Sequence, residues 1–169
     1  MTRMIKFQEH SFKGVDNQVL NQVLRLNESH YPHLSSLNNL DVLKKLIAMS
    51  SYNSFLEVDS EIIGFIICMR EGRAHKSPNY QYFKKKHKQF LYIDRVGVKQ
   101  DFLNMGLGAY MYNKLIHSDD SKEVILCAEV NTKPENLPSI NFHKKIGFKL
   151  VEKKQLNIIN EVAYFELIN

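Results

Sequence analysis

The spacing of apolar residues along this chain changes several times, and each change marks an element. Residues 5–9 alternate apolar and polar, the period of a half-buried strand. Asp16 can cap a helix, and beyond it Val19, Leu20, Val23, Leu24 and Leu26 fall on one helical face. The polar stretch NESHYPHLSSL (27–37) reads as a loop, and Leu40, Leu43, Leu46 and Ile47 mark a second helix over residues 39–49. Residues 54–58 and 61–70 read as strands joined by a tight turn at Asp59 and Ser60. Residues 72–89 read as a long irregular insertion, and residues 90–98 as a strand. A glycine turn, Gly106-Leu107-Gly108, then leads into a helix ending near His117, where Leu107, Met111 and Leu115 recur every four residues. Residues 124–130 are almost continuously apolar, as in a strand buried on both faces. A short helix over residues 139–146 is stopped by Gly147, and residues 148–155 and 162–168 close the chain as strands.

The order is strand, helix, helix, three strands, helix, strand, helix, two strands. It predicts a mixed α/β (α+β) domain with about seven strands in one central sheet and about four flanking helices, a single domain over residues 1–169. It is not a repeating strand–helix–strand pattern. The glycine turn lacks the GxGxxG spacing of a dinucleotide site.

Composition narrows the setting. A content of 44% hydrophobic and 24% charged residues is that of an ordinary folded domain, and no apolar run approaches the ~20 residues of a membrane span. The first residues carry no apolar signal core, so a cytoplasmic location is expected. Cys68 and Cys127 both sit in apolar runs, which fits reduced buried thiols. The seven histidines show neither HExxH nor a paired CxxC spacing, so no metal is expected. The net charge of +5 suits a polyanionic ligand. The basic run Lys84, Lys85, Lys86, His87 and Lys88 reads as a solvated loop, because no base-reading module accompanies it.

The glycine turn carries the first chemical signal. A helix start preceded by glycine offers unpartnered N–H groups and positive potential, a seat for phosphate. The element order and two motifs then resemble the GNAT (Gcn5-related N-acetyltransferase) superfamily. LNMGLG (103–108) is similar to that family's acyl-CoA turn, [RQ]xxGx[GA], with Leu103 where Arg or Gln is usual. NLPSINFHKKIGF (136–148) is similar to NxxAxxxYxKxGF, with Ser139 in the small-residue position and His143 in the tyrosine position. SPNYQYF (77–83), YIDRVGV (92–98) and EVNTKPENLPSINFHKKIGF (129–148) also resemble a bacterial group of predicted acetyltransferases.

The resemblance implies acetyl-CoA as co-substrate, held between the fourth and fifth strands. The edge groups of Val96, Gly97 and Val98 would pair with the pantetheine arm, and an N–H near Val96 would polarise the thioester. The turn through Leu103, Asn104, Met105, Gly106, Leu107 and Gly108 would hold the pyrophosphate, with Asn136 and Lys133 as further contacts. His143 takes the place of the acid that protonates the departing thiolate. Two carboxylates are candidates for the base, with a water chain as the alternative. Asp94 is two residues before Val96, hence on the same sheet face. Glu129 interrupts an apolar strand, a setting that raises a carboxyl pKa. His30, Tyr31, His33, Tyr80 and Tyr82 are polar aromatics placed to line an acceptor pocket. The function implied is direct N-acetyl transfer from acetyl-CoA to a primary amine of a small molecule or protein. A non-catalytic acyl-CoA-binding regulatory module stands as the alternative. Neither nucleic acid nor membrane is expected as a partner, and a homodimer is left open.

Overall fold

The computed structural model describes residues 5–168. Its elements in chain order are β1 (Gln8–His10), α1 (Asn17–Ser29), α2 (Leu40–Met49), β2 (Tyr52–Val58), β3 (Glu61–Arg70), α3 (Pro78–Lys86), β4 (Phe90–Val98), α4 (Leu107–Ile116), β5 (Ile125–Lys133), α5 (Leu137–Lys145), β6 (Lys149–Gln155) and β7 (Glu161–Ile168), with short 3-10 turns at Gln100–Phe102 and Asp119–Ser121. The strands form one seven-stranded sheet in the order β1-β2-β3-β4-β5-β7-β6. All neighbours are antiparallel except β4 and β5, which run parallel.

Each face of the sheet has its own core. On one face α1, α2 and α3 bury Leu20, Val23, Leu43, Leu46, Tyr80 and Phe83 against Phe65, Ile67, Phe90, Tyr92 and Tyr164. On the other, α4 buries Leu107, Met111 and Leu115 against Ile63, Ile66, Leu91, Leu126 and Phe165. The every-fourth-residue stripe of α4 is therefore its contact with the sheet.

Several local predictions are set directly by backbone chemistry. Asp16 Oδ1 accepts from Val19 N–H, and Asn39 Oδ1 from Val42 N–H, which closes the first turns of α1 and α2. Asp59 and Ser60 both have positive φ (49° and 65°), as a two-residue mirror-image hairpin turn requires. The structure departs from the sequence reading in three places. The insertion over 72–89 contains a fifth helix, α3, begun by Pro78 and anchored through Tyr80 and Phe83 one turn apart. Helix α1 runs on to Ser29, past the loop start read at residue 27, because the Asn27 side chain is buried and bonded to the Ser35 carbonyl. Strand β1 is only Gln8–His10, shifted toward its pairing with β2.

Candidate active site

Strands β4 and β5 pair only at Phe90–Ile125, Leu91–Leu126 and Tyr92–Cys127. Beyond that point they diverge, and a cleft of about 100 Å³ opens between them. Its walls include His30, Val96, Tyr112, Glu129, Asn136 and His143. The gap exists because two parallel strands of one sheet have lost their shared ladder, which leaves backbone donors and acceptors of β4 facing open space.

The register of β4 decides which groups face the gap. Ile67 opposes Arg95 while Cys68 opposes Ile93, so Asp94 is the extra residue of a β-bulge. Above the bulge Lys99 N–H donates to Ile63 O at 2.8 Å, and in this antiparallel register Gly97 and Arg95 likewise turn their N–H and C=O toward β3. Val96 and Val98 turn theirs toward the gap. Gly97 thus departs from the expected edge role. It serves instead by lacking a side chain, since a Cβ there would lie 2.8 Å from Phe65 Cε1 and 3.2 Å from the His30 ring. His30 Nε2 donates to Val98 O at 3.0 Å, which occupies that carbonyl, and burial lowers the His30 pKa.

The bulge also overturns the facing expected of Asp94. Val96 packs with the core beneath α4, whereas Asp94 and Arg95 lie together on the α1 and α3 side. Asp94 Oδ1 is 2.6 Å from His75 Nε2, and its Oδ2 accepts from Arg95 Nε at 3.0 Å. Arg95 in turn donates to Asn27 Oδ1, Ser35 O and Ser35 Oγ at 2.8–2.9 Å, which ties the α1–α2 loop to β4. Asp94 is therefore held by two partners at the edge of the cleft.

Glu129 is held differently. Its Oε1 accepts from the Tyr92 hydroxyl at 2.9 Å, while its Oε2, shielded from solvent, has no hydrogen-bond partner among the described residues. Burial, reinforced by the nearby Asp94 charge, pushes its carboxyl up to about 8, although Tyr92 and the neighbouring Asn79 pull the other way.

His143 is 3% exposed and spans two helices. Its Nδ1 lies 2.8 Å from Ser139 O, one turn back in α5, and its Nε2 lies 2.7 Å from the Tyr112 hydroxyl on α4. Phe142, Phe148 and Phe165 surround the ring, and burial lowers its pKa. Nothing in the sequence singles out Tyr112. Its position next to Met111 marks it only as one more apolar residue of a buried helix.

Below the cleft, Gly106 takes a left-handed conformation (φ 83°) as the N-cap of α4, and Asn104 also has positive φ (60°). Among the described residues, the backbone N–H groups from Asn104 through Ala109 have no backbone partner. They border a groove that also includes Val98, Leu103, Phe142 and Lys145. Lys145 places an ammonium beside the helix start, whereas Leu103 contributes only an apolar side chain, 40% exposed. Asn104, Gly106, Leu107 and Gly108 line this groove; Met105 is exposed beside it. Asn136 caps α5 by accepting from Ser139 N–H and reaches the cleft wall, while Lys133 lies 4.0 Å from Glu161.

Of the polar aromatics read as acceptor-site candidates, His30 and His33 line the cleft. The three tyrosines do not. Tyr31 is 68% exposed, Tyr80 is buried with its hydroxyl donating to Arg70 O, and Tyr82 stacks on Tyr164 at 3.8 Å. Away from the cleft, ligand atoms of His87, Cys127 and Glu166 lie within 4.8 Å of one another. Lys86 Nζ, 2.7 Å from Glu166 Oε1, already supplies positive charge there. Among the described residues, no helix is long and apolar enough to cross a membrane.

Comparison with known proteins bears on the family and the fold. The model of the Acetyltransferase (GNAT) family matches residues 20–148. The fold is similar to Arabidopsis thaliana Naa50, solved with the bisubstrate analogue CoA-Ac-MVNAL (TM-score 0.70, 18% identity, 96% of this chain and 99% of that one). It is also similar to the Escherichia coli ribosomal-protein-S18-alanine N-acetyltransferase (TM-score 0.69, 13% identity, 96% and 94%) and to an N-acetyltransferase from Staphylococcus aureus Mu50 (TM-score 0.67, 17% identity, 97% and 99%). Among curated proteins, none matches the sequence.

Proposed function

Because the chain belongs to the GNAT acetyltransferase family, we propose that it transfers an acetyl group from acetyl-CoA directly to a primary amine of a small molecule or protein. The early divergence of β4 and β5 carries this reading. It leaves the Val96 N–H facing a cleft, while Val98, two residues further along β4, lines the groove at the start of α4. A pantetheine arm laid along Val96 and Val98 adds a strand to β4, and the thioester oxygen meets the Val96 N–H. The unpartnered N–H groups from Asn104 to Ala109 and the Lys145 ammonium receive the pyrophosphate.

Glu129 is the better placed of the two carboxylates to act as base. Asp94 is committed to His75 and Arg95, whereas Glu129 Oε2 has no hydrogen-bond partner among the described residues, and the carboxyl titrates at about 8, where it can take a proton from an ammonium. Direct transfer is supported because neither cysteine lines the cleft and burial raises the pKa of both thiols.

A thermal-shift titration with acetyl-CoA, followed by a thiol-release assay over a panel of primary amines, tests the proposal. Stabilisation by acetyl-CoA together with amine-dependent thiol release is the expected outcome. Leu103 and His143, in motif positions where other residues are usual, favour as the second reading a non-catalytic acyl-CoA-binding regulatory module. That reading requires the stabilisation without any thiol release.

A further inference from the structure

Resting on the acetyltransferase reading, we propose that Tyr112 and His143 act together as a proton shuttle, taking a proton from the acceptor nitrogen and delivering one to the departing sulfur. The argument begins with the direction of two hydrogen bonds. Ser139 O can only accept, so His143 Nδ1, 2.8 Å away, carries the hydrogen. In the neutral ring Nε2 is then a lone pair, and the Tyr112 hydroxyl, 2.7 Å away, must donate to it. The chain runs one way, from Tyr112 O–H to Nε2 and from Nδ1–H to the α5 backbone. The Tyr112 oxygen keeps its lone pairs for the cleft.

This direction assigns different work to the two residues. His143 has no hydrogen to offer sulfur, since its one N–H points into α5. Any proton that enters or leaves the imidazole on the cleft side passes through Tyr112. The phenol on α4 thereby supplies the hydroxyl that the motif on α5 would otherwise carry at position 143. The surroundings suit the resting state. Phe142, Phe148 and Phe165 pack on the imidazole, and Tyr112 is the titratable group bonded to it. Around the phenol, Cys68 from β3 and Glu129 from β5 add to burial in keeping the hydroxyl protonated.

The protons balance as follows. Glu129 takes the first proton of the acceptor ammonium and passes it to solvent. The amine lone pair forms the C–N bond at the thioester carbon while the C=O pair moves to oxygen. The adduct's N–H proton goes to the Tyr112 oxygen as the hydroxyl proton moves to His143 Nε2. The oxygen pair then re-forms C=O and the C–S bond breaks with its electrons on sulfur. The two transfers reverse, with Tyr112 protonating sulfur and recovering a proton from His143. Amide and free thiol leave, and the pair is restored.

The test uses the whole protein and the variants Tyr112→Phe and His143→Gln. Glutamine can still accept from Tyr112 but cannot carry the proton. Both variants should bind acetyl-CoA within ~2-fold of wild type, while kcat for thiol release falls ~100-fold or more. Below the rise set by Glu129, the wild-type kcat should fall more steeply as His143 becomes protonated, and both variants should keep the Glu129 limb and lose this second one. Long-range proton–nitrogen spectra of wild type should show hydrogen on Nδ1 of His143. A wild-type rate in either variant, or hydrogen on Nε2 in the free protein, would overturn the shuttle and leave the acetyltransferase reading standing. Failure of wild type to bind acetyl-CoA, or to release thiol with any amine, would remove both.

Discussion

Replacing Glu129 by Gln probes the cleft through stability and activity at once. The folded protein holds this carboxyl's proton up to about 8, whereas the unfolded chain releases it near 4.5. Between those values the native state binds more protons, so raising the pH removes stability. The stabilising contribution is complete below about pH 4.5 and is lost as pH climbs through about 8. At ~1.4 kcal/mol per pH unit, the stretch from pH 5 to pH 7.5 corresponds to roughly 3 kcal/mol. Glutamine does not titrate, and its carbonyl can keep the bond from the Tyr92 hydroxyl. The variant should therefore gain about 3 kcal/mol relative to wild type between pH 5 and pH 7.5. With urea slopes of about 1–3 kcal/mol per molar, the gap between the two midpoints should widen by at least ~1 M. Taking the difference between two proteins cancels the titration of every group that does not interact with Glu129. Activity should move oppositely. Wild-type kcat/KM should rise through about pH 8 as the base ionises, and the variant should lack that rise and be ~100-fold slower. A midpoint gap that stays constant across this pH range would refute the claim that Glu129 is buried and protonated.

Three further substitutions examine other parts of the site. Gly97→Ala puts a Cβ within 2.8 Å of Phe65 and crowds His30; it should cost about 1–3 kcal/mol, seen as a fall of several degrees in Tm. Leu103→Arg restores the side chain that the glycine motif usually carries beside the phosphate seat, and calorimetry should show acetyl-CoA bound roughly 5-fold more tightly. Arg95→Met leaves the buried Asp94 with His75 alone and releases Ser35, and with it the α1–α2 loop, from β4; chemical denaturation should show a loss of about 3 kcal/mol, and the KM for the acceptor should rise more than that for acetyl-CoA.

What the sequence discloses about this site depends on how local the responsible physics is. The glycine turn, the α4 stripe and the α5 motif are legible because each is decided within one or two turns of chain. Positive φ at Gly106, capping at Asn136 and the Leu107-Met111-Leu115 face need no knowledge of the rest of the fold. Helix α3 escapes because only Tyr80 and Phe83 mark its buried side, amid lysines that suit a loop equally well. Asp94 escapes for a different reason. Counting by twos assumes an unbroken pleat, and one extra residue between Ile93 and Arg95 turns the carboxylate to the opposite face from Val96. Tyr112 is the least legible of all, because its role arises from the meeting of α4 and α5. A tyrosine next to a buried methionine announces only packing. The imidazole of His143, its Nδ1 already committed to Ser139, is what gives its hydroxyl a direction. Reading such a residue from sequence requires asking where the hydroxyl went when a motif tyrosine is replaced by histidine, and searching the facing helix for it.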